Sequence, residues 1–220
     1  MKRHLLFLAA LLIVNLAASA QKKFSVYAVG FYNQENLFDT CHDEGKKDYE
    51  YLPNKGWNGM KYTNKLRNMS KALADMGTDV LPTVGCAFIG LSEVENHKVL
   101  DALVDQAPLK ARNMKYVHIE GPDRRGIDCA LLYNPSLFSV KNVKLLPYVQ
   151  ELAKDSAFFT RGFLTVRGEM AGDDVAVIVC HWPSRFSGPF YRESAARQVK
   201  VIKDSLLNVN QEMKIFVMGD

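Results

Sequence analysis

Short apolar runs separated by polar turns carry most of the chain. Strand-like runs are FSVYAVGFY (24–32), CAFIGL (86–91), KYVHIE (115–120), IDCALLY (127–133), FSVKNV (138–143), FLTVRGEM (163–170), DVAVIVC (174–180) and KIFVM (214–218). Several are rich in β-branched and aromatic residues and bounded by Gly, Pro, Asn or Asp, which predicts strands. The segment RGEMAGDDVAV reads as a hairpin turning at Ala171 to Asp173. Helical spacing occurs three times. Tyr62, Leu66, Met69, Leu73 and Met76 recur at four, three, four and three residues and run into Gly77, a C-cap signal. Val99, Leu100, Leu103 and Val104 form a second stripe, and Ala195, Val199, Ile202 and Leu206 a third. These stripes are expected to pack on a sheet, with Lys61, Lys65 and Lys71 on a solvated face.

The order is strand, long loop, helix, strand, helix, a series of neighbouring strands, then helix and strand. Helices must cover sheet faces while hairpins join strands, so the expected fold is a layered α/β sandwich with mixed sheets. Residues 39–60 have no clear period, and a loop of that length is commonly functional or mobile.

With 220 residues, 48% hydrophobic and 24% charged, the composition supports a sizeable core and argues against disorder. Residues 1–20 have a basic start, an apolar run from Leu5 to Ala18 and the small-x-small ending Ala18-Ser19-Ala20. That layout predicts a secretory signal peptide cut before Gln21, leaving a single domain over 21–220. The run is shorter than the roughly 20 apolar residues a membrane span needs, and Asn15 interrupts it. The expected destination is periplasmic or extracellular. Without Lys2 and Arg3 the chain keeps 26 basic against 24 acidic side chains, so bulk charge gives no case for nucleic acid or membrane. Cys41, Cys86, Cys129 and Cys180 are too scattered for a zinc site. Cys129 and Cys180 read as small core residues, and no disulfide pairing is specified.

Candidate chemistry lies where apolar runs end. NQENLFD follows the first strand and carries Asn33 and Glu35, placed by alternation on one side. GLSEVEN delivers Glu93 and Glu95, oxygen donors of the kind a hard divalent cation takes. VIVCHWPSR ends a strand with His181, and Arg185 follows close behind. PDRRGIDCALLY places Arg124 and Arg125 before a strand, and the terminal MGD presents Asp220 as GLSEVEN presents Glu93. Taken singly, each has an ordinary reading: an Asx turn, a helix N-terminal carboxylate, a partly buried His, surface arginines.

In this order the motifs resemble the endonuclease/exonuclease/phosphatase superfamily, its exported bacterial branch above all, over about residues 24–220. The resemblance implies an α/β (α+β) four-layer sandwich of two mixed β-sheets flanked by helices, incomplete at the C-terminal end. It implies a metal-dependent phosphodiesterase, nuclease-like, in which water attacks in line. Glu93 and Glu35 would hold Mg²⁺ or Mn²⁺. His181, Asp220 and Asn33 would be catalytic, and Arg125 and Arg185 would contact a phosphate-ester substrate, nucleic acid among the candidates. Family members continue past the Gly-Asp pair to an Asn and a late Asp-His, so the expectation is a chain that stops inside a motif and is weakly active or inactive. The near-balanced charge favours a second reading, a phosphomonoester or a phospholipid head group, because nucleases usually carry a basic groove. A third is a binding protein without catalysis.

Overall fold

The computed structural model describes residues 25–149 and 160–220; the segment read as a signal peptide lies outside them. Among the described residues eight strands form two four-stranded mixed sheets. The first has the order β1-β2-β4-β3, from β1 (Ala28–Leu37), β2 (Cys86–Val94), β4 (Asp128–Tyr133) and β3 (Lys115–His118). The second has the order β5-β6-β7-β8, from β5 (Ser139–Leu146), β6 (Phe163–Met170), β7 (Asp173–Cys180) and β8 (Lys214–Gly219). Among these strands β1–β2 and β7–β8 pair in parallel and the other neighbours antiparallel. Each parallel connection needs a crossover. The crossover helices are α1 (Gly59–Asp75) in the first case and α4 (Pro189–Val209) in the second.

Alternation along the central strands builds the layers. In β7, Val175, Val177 and Val179 face the other sheet, whereas Ala176 and Ile178 face α4 through Ala195, Val199 and Leu206. In β2, Phe88 meets the partner sheet, and Ile89 and Leu91 meet α1, α2 (His97–Val104) and α3 (Ala107–Ala111). Strands covered on both faces need apolar residues at every position, which is why CAFIGL and VAVIVC show no polar alternation. Phe88, wholly buried, packs on Phe138 and Phe216 at ring separations of 5.2 and 5.4 Å, joining the sheets at their centre.

The caps follow the sequence signals. Gly77 takes a positive φ of 74° directly after α1, and Asn58 and Asn96 accept backbone N–H bonds at the starts of α1 and α2. The hairpin after β6 turns through Ala171 and Gly172, both with positive φ, between the paired Met170 and Asp173. Two strands run further than their apolar runs: β1 continues through Asn33–Leu37 and β2 through Glu93 and Val94. The four cysteines are free; Cys129 and Cys180 are buried, as a core reading requires. Among the described residues no helix is long and apolar enough to cross a membrane.

Candidate active site

The parallel pairs β1–β2 and β7–β8 end at one rim, and the polar residues at those ends converge there. One donor atom from each of Glu93, His181 and Asp220 lies within 4.8 Å of the other two. His181 Nε2 is 3.5 Å from Glu93 Oε1. Asn33, from β1, donates its side-chain amide to Asp220 Oδ2 at 2.7 Å. Four side chains far apart in sequence thus form one group.

Backbone geometry sets it. Glu93 has φ 60° at the point where the β2–β4 register shifts, so its carboxylate leaves the sheet at a bulge. Glu35 and Asn36 have φ of 51° and 60°, and two successive left-handed residues turn the chain so that Asn36 N–H donates to Glu93 Oε2 at 2.9 Å. The ends of β7 and β8 are laced together. Asp220 N donates to the Cys180 carbonyl at 3.2 Å, and Trp182 N to the Asp220 carbonyl at 2.8 Å. Residue 219 must be glycine, because a Cβ there would collide with that Cys180 carbonyl.

Alternation placed Asn33 and Glu35 together; the left-handed turn separates them. Glu35 is exposed and outside the Glu93–His181–Asp220 group, lining a shallow groove beside Trp57 and Lys61. Glu95 is likewise turned away. It is buried, accepts Asp39 N–H at 2.8 Å and faces the 39–48 loop. Arg125 is half exposed and lines a cavity next to the site, while Arg185 is exposed on the short turn after His-Trp-Pro-Ser.

Two contributors escaped the sequence reading. Lys65 is not on a solvated face, unlike the exposed Lys61 and Lys71. Its ammonium lies over the Trp57 ring and donates to the carbonyls of Glu35 and Asn36, clamping the left-handed pair that holds Glu93. Burial lowers its pKa. Lys65→Met is expected to weaken divalent-ion affinity about 10–100-fold, the range for residues that orient a ligand. Lys65→Arg should recover part of it, read as the metal concentration needed to raise the melting temperature. The second is Arg161, whose guanidinium donates to Asp123 Oδ2 and to the Trp182 carbonyl, both at 3.0 Å, bracing the residue after His181. The signal available was an arginine two residues before the buried run FLTVRGEM.

His181 is 9% exposed, and its Nδ1 is buried without a hydrogen-bond partner among the described residues. Burial, then the nearby Arg161 charge, lowers its pKa to about 3, so the imidazole is neutral near pH 7. It can hydrogen-bond an anion without introducing a buried charge.

The donor set fits a hard divalent cation: two carboxylates, each held by one hydrogen bond and each retaining lone pairs, with an imidazole beside them. Over residues 28–220 the sequence matches the Endonuclease/Exonuclease/phosphatase family. The chain belongs to that family. No curated protein matches it in sequence. Among solved structures, its fold is similar to that of ANGEL2, a 2′,3′-cyclic phosphatase (14% identity, TM-score 0.55, 87% of this chain and 51% of that one). It is also similar to a β-hairpin deletion mutant of Staphylococcus aureus beta toxin (15%, 0.53, 87% and 65%). A third is D. rerio TDP2 complexed with a single-strand DNA product (14%, 0.51, 75% and 56%). The chain spans about half to two thirds of the length of these structures. The two mixed sheets flanked by helices are those the family resemblance implied.

Proposed function

We propose that the protein is an exported, divalent-metal-dependent hydrolase of phosphodiesters. The observation that supports this best is the convergence of Glu93, His181 and Asp220, with Asn33, from the ends of four strands. A divalent ion held mainly by Glu93 would supply Lewis-acid stabilisation of charge developing on the phosphoryl oxygens. The chain's own groups do the rest. Asn33 fixes the Asp220 carboxylate through one oxygen, leaving the other to accept a hydrogen bond from a water and orient it. Neutral His181 directs a ring nitrogen at the same space, where a hydrogen bond to the reacting oxyanion strengthens as charge builds. Arg125, on the adjacent lip, can neutralise a substrate phosphate. Export rests on the layout of residues 1–20.

The similarity to a TDP2 complex with single-strand DNA and to a cyclic phosphatase motivates testing diesters first. The purified protein would be assayed with Mg²⁺ or Mn²⁺ on bis(p-nitrophenyl) phosphate, p-nitrophenyl phosphate, plasmid DNA, RNA and sphingomyelin vesicles. Slow diester hydrolysis abolished by EDTA is the expected result. Cleavage of the monoester alone would replace the reading with a phosphomonoesterase. No hydrolysis, with a melting temperature indifferent to divalent ions, would leave a binding scaffold.

A further inference from the structure

Beside the metal-ligand group lies a second concavity of about 450 Å³, between the long loop after β1 and the β3–β4 turn. Its lining includes Lys47, Lys55 and Arg125 against a single carboxylate, Glu50, with Tyr49 and Tyr51 between them. Among the described residues neither lysine ammonium has an ion-pair partner, and Arg125 reaches Asp123 only at 3.9 Å. A concave surface with this excess of cations, two of them unpaired, is built for anions. The near-neutral total charge of the chain conceals it.

The cavity is held in shape. Lys47 N donates to the Arg124 carbonyl at 2.7 Å and the Lys46 ammonium to the Gly121 carbonyl at 3.1 Å, tying the two lips together. Tyr51 stacks flat on the buried Phe38 with centroids 4.1 Å apart, and Trp57 donates its indole N–H to the Asp39 carbonyl. Tyr49 has one face on His42 and is still 55% exposed. The cavity is also continuous with the reaction centre. Asn36 lines it, and the backbone N–H of that residue holds Glu93.

We infer that this cavity is a subsite for a neighbouring nucleotide of a single-stranded nucleic acid, with Lys47, Lys55 and Arg125 on the phosphate next to the scissile one and Tyr49 available to its base. The inference rests on the phosphodiesterase reading and names its substrate class. Alternating cations and exposed aromatic rings are how single strands are bound without reading their sequence. A phosphocholine head group brings one phosphate together with a fixed cation, which three cations would repel.

The test is fluorescence anisotropy of fluorescein-labelled octathymidylate with the full-length protein in EDTA, over a salt series. The double variant Lys47→Gln/Lys55→Gln is expected to bind at least tenfold more weakly. The slope of log affinity against log salt should shrink by about 0.7, the value for one phosphate contact on a single strand. Lys47→Arg/Lys55→Arg should restore both, and equal melting temperatures would show that each variant is folded. With Mg²⁺, kcat/KM on the oligonucleotide relative to bis(p-nitrophenyl) phosphate should fall at least tenfold in the Gln variant, through KM. Wild-type protein that fails to bind the oligonucleotide, or a Gln variant with unchanged affinity and slope, overturns the subsite. Displacement of the oligonucleotide by sphingomyelin vesicles, lost in the Gln variant, overturns it in favour of a lipid. Because binding is read without catalysis, failure to hydrolyse any diester would sink the phosphodiesterase reading separately.

Discussion

Replacing Glu93 by Gln should lower metal-supported turnover by about 10³-fold or more and leave the fold intact. The variant keeps the shape of the side chain and an acceptor for Asn36 N–H, but loses the charge and one oxygen donor. The amide nitrogen would also confront His181 Nε2, now 3.5 Å from a carboxylate oxygen. Stabilisation of transition-state charge by a metal amounts to several kcal/mol, and about 1.4 kcal/mol is a factor of ten in rate. An independent readout is thermal. A divalent ion at about a hundredfold over its Kd stabilises the native state by about 2.7 kcal/mol, or about 5–10 °C in a chain of this size. Wild type should show that rise and Glu93→Gln almost none. Glu35→Gln is the informative companion. The family resemblance makes Glu35 a ligand, whereas its exposed position outside the three-residue group predicts a much smaller loss. Full turnover and a full thermal shift in Glu93→Gln would remove this residue from the metal site.

The layers were legible because β2, β4 and β7 are buried on both faces, so apolar runs had to mark them. Their ends were not. β1 and β2 go on pairing through Asn33 and Ser92 after the apolar residues stop, since backbone hydrogen bonds continue regardless of side-chain polarity. The helix α3 went unseen because it buries only Leu109 and so leaves no stripe. At the site, residue types were readable but directions were not. Positive φ at Glu35, Asn36 and Glu93 breaks the two-residue period on which alternation relies, separating Glu35 from Asn33 and Glu95 from Glu93. Lys65 looked like surface because its stem follows the helix period, while its ammonium reaches across to two carbonyls. The basic cavity could not be found by counting charge, because its cations come from two loops that are adjacent only in the fold.

Glu95 carries the second large prediction, on stability. It is 3% exposed, and its Oε2 accepts Asp39 N–H while Oε1 is buried with no hydrogen-bond partner among the described residues. Burial raises its pKa from 4.5 to about 8; the Asp39 N–H bond pulls the other way, and the charges of Asp39, Asp43 and Asp48 add to the rise. The sign follows from proton counting. Between about pH 4.5 and 8 the folded chain holds a proton on Glu95 that the unfolded chain has released, so stability falls as pH rises across that window. The slope from this group is at most about 1.4 kcal/mol per pH unit, and it flattens above the folded pKa. A glutamine keeps an acceptor for Asp39 N–H, gives an amide N–H₂ to the surrounding carboxylates and has no proton to lose. Urea unfolding in EDTA at pH 5, 6, 7 and 8 should therefore show Glu95→Gln gaining on wild type at each step and clearly the more stable at pH 8. Parallel pH profiles for the two proteins would mean that Glu95 ionises in the folded chain as it does in water. The loop after β1 would then have to be held by the Asp48 carboxylate, which bonds His42 and Asp43 N–H, and by the Asn96–Asp43 hydrogen bond, without a neutral Glu95 behind them.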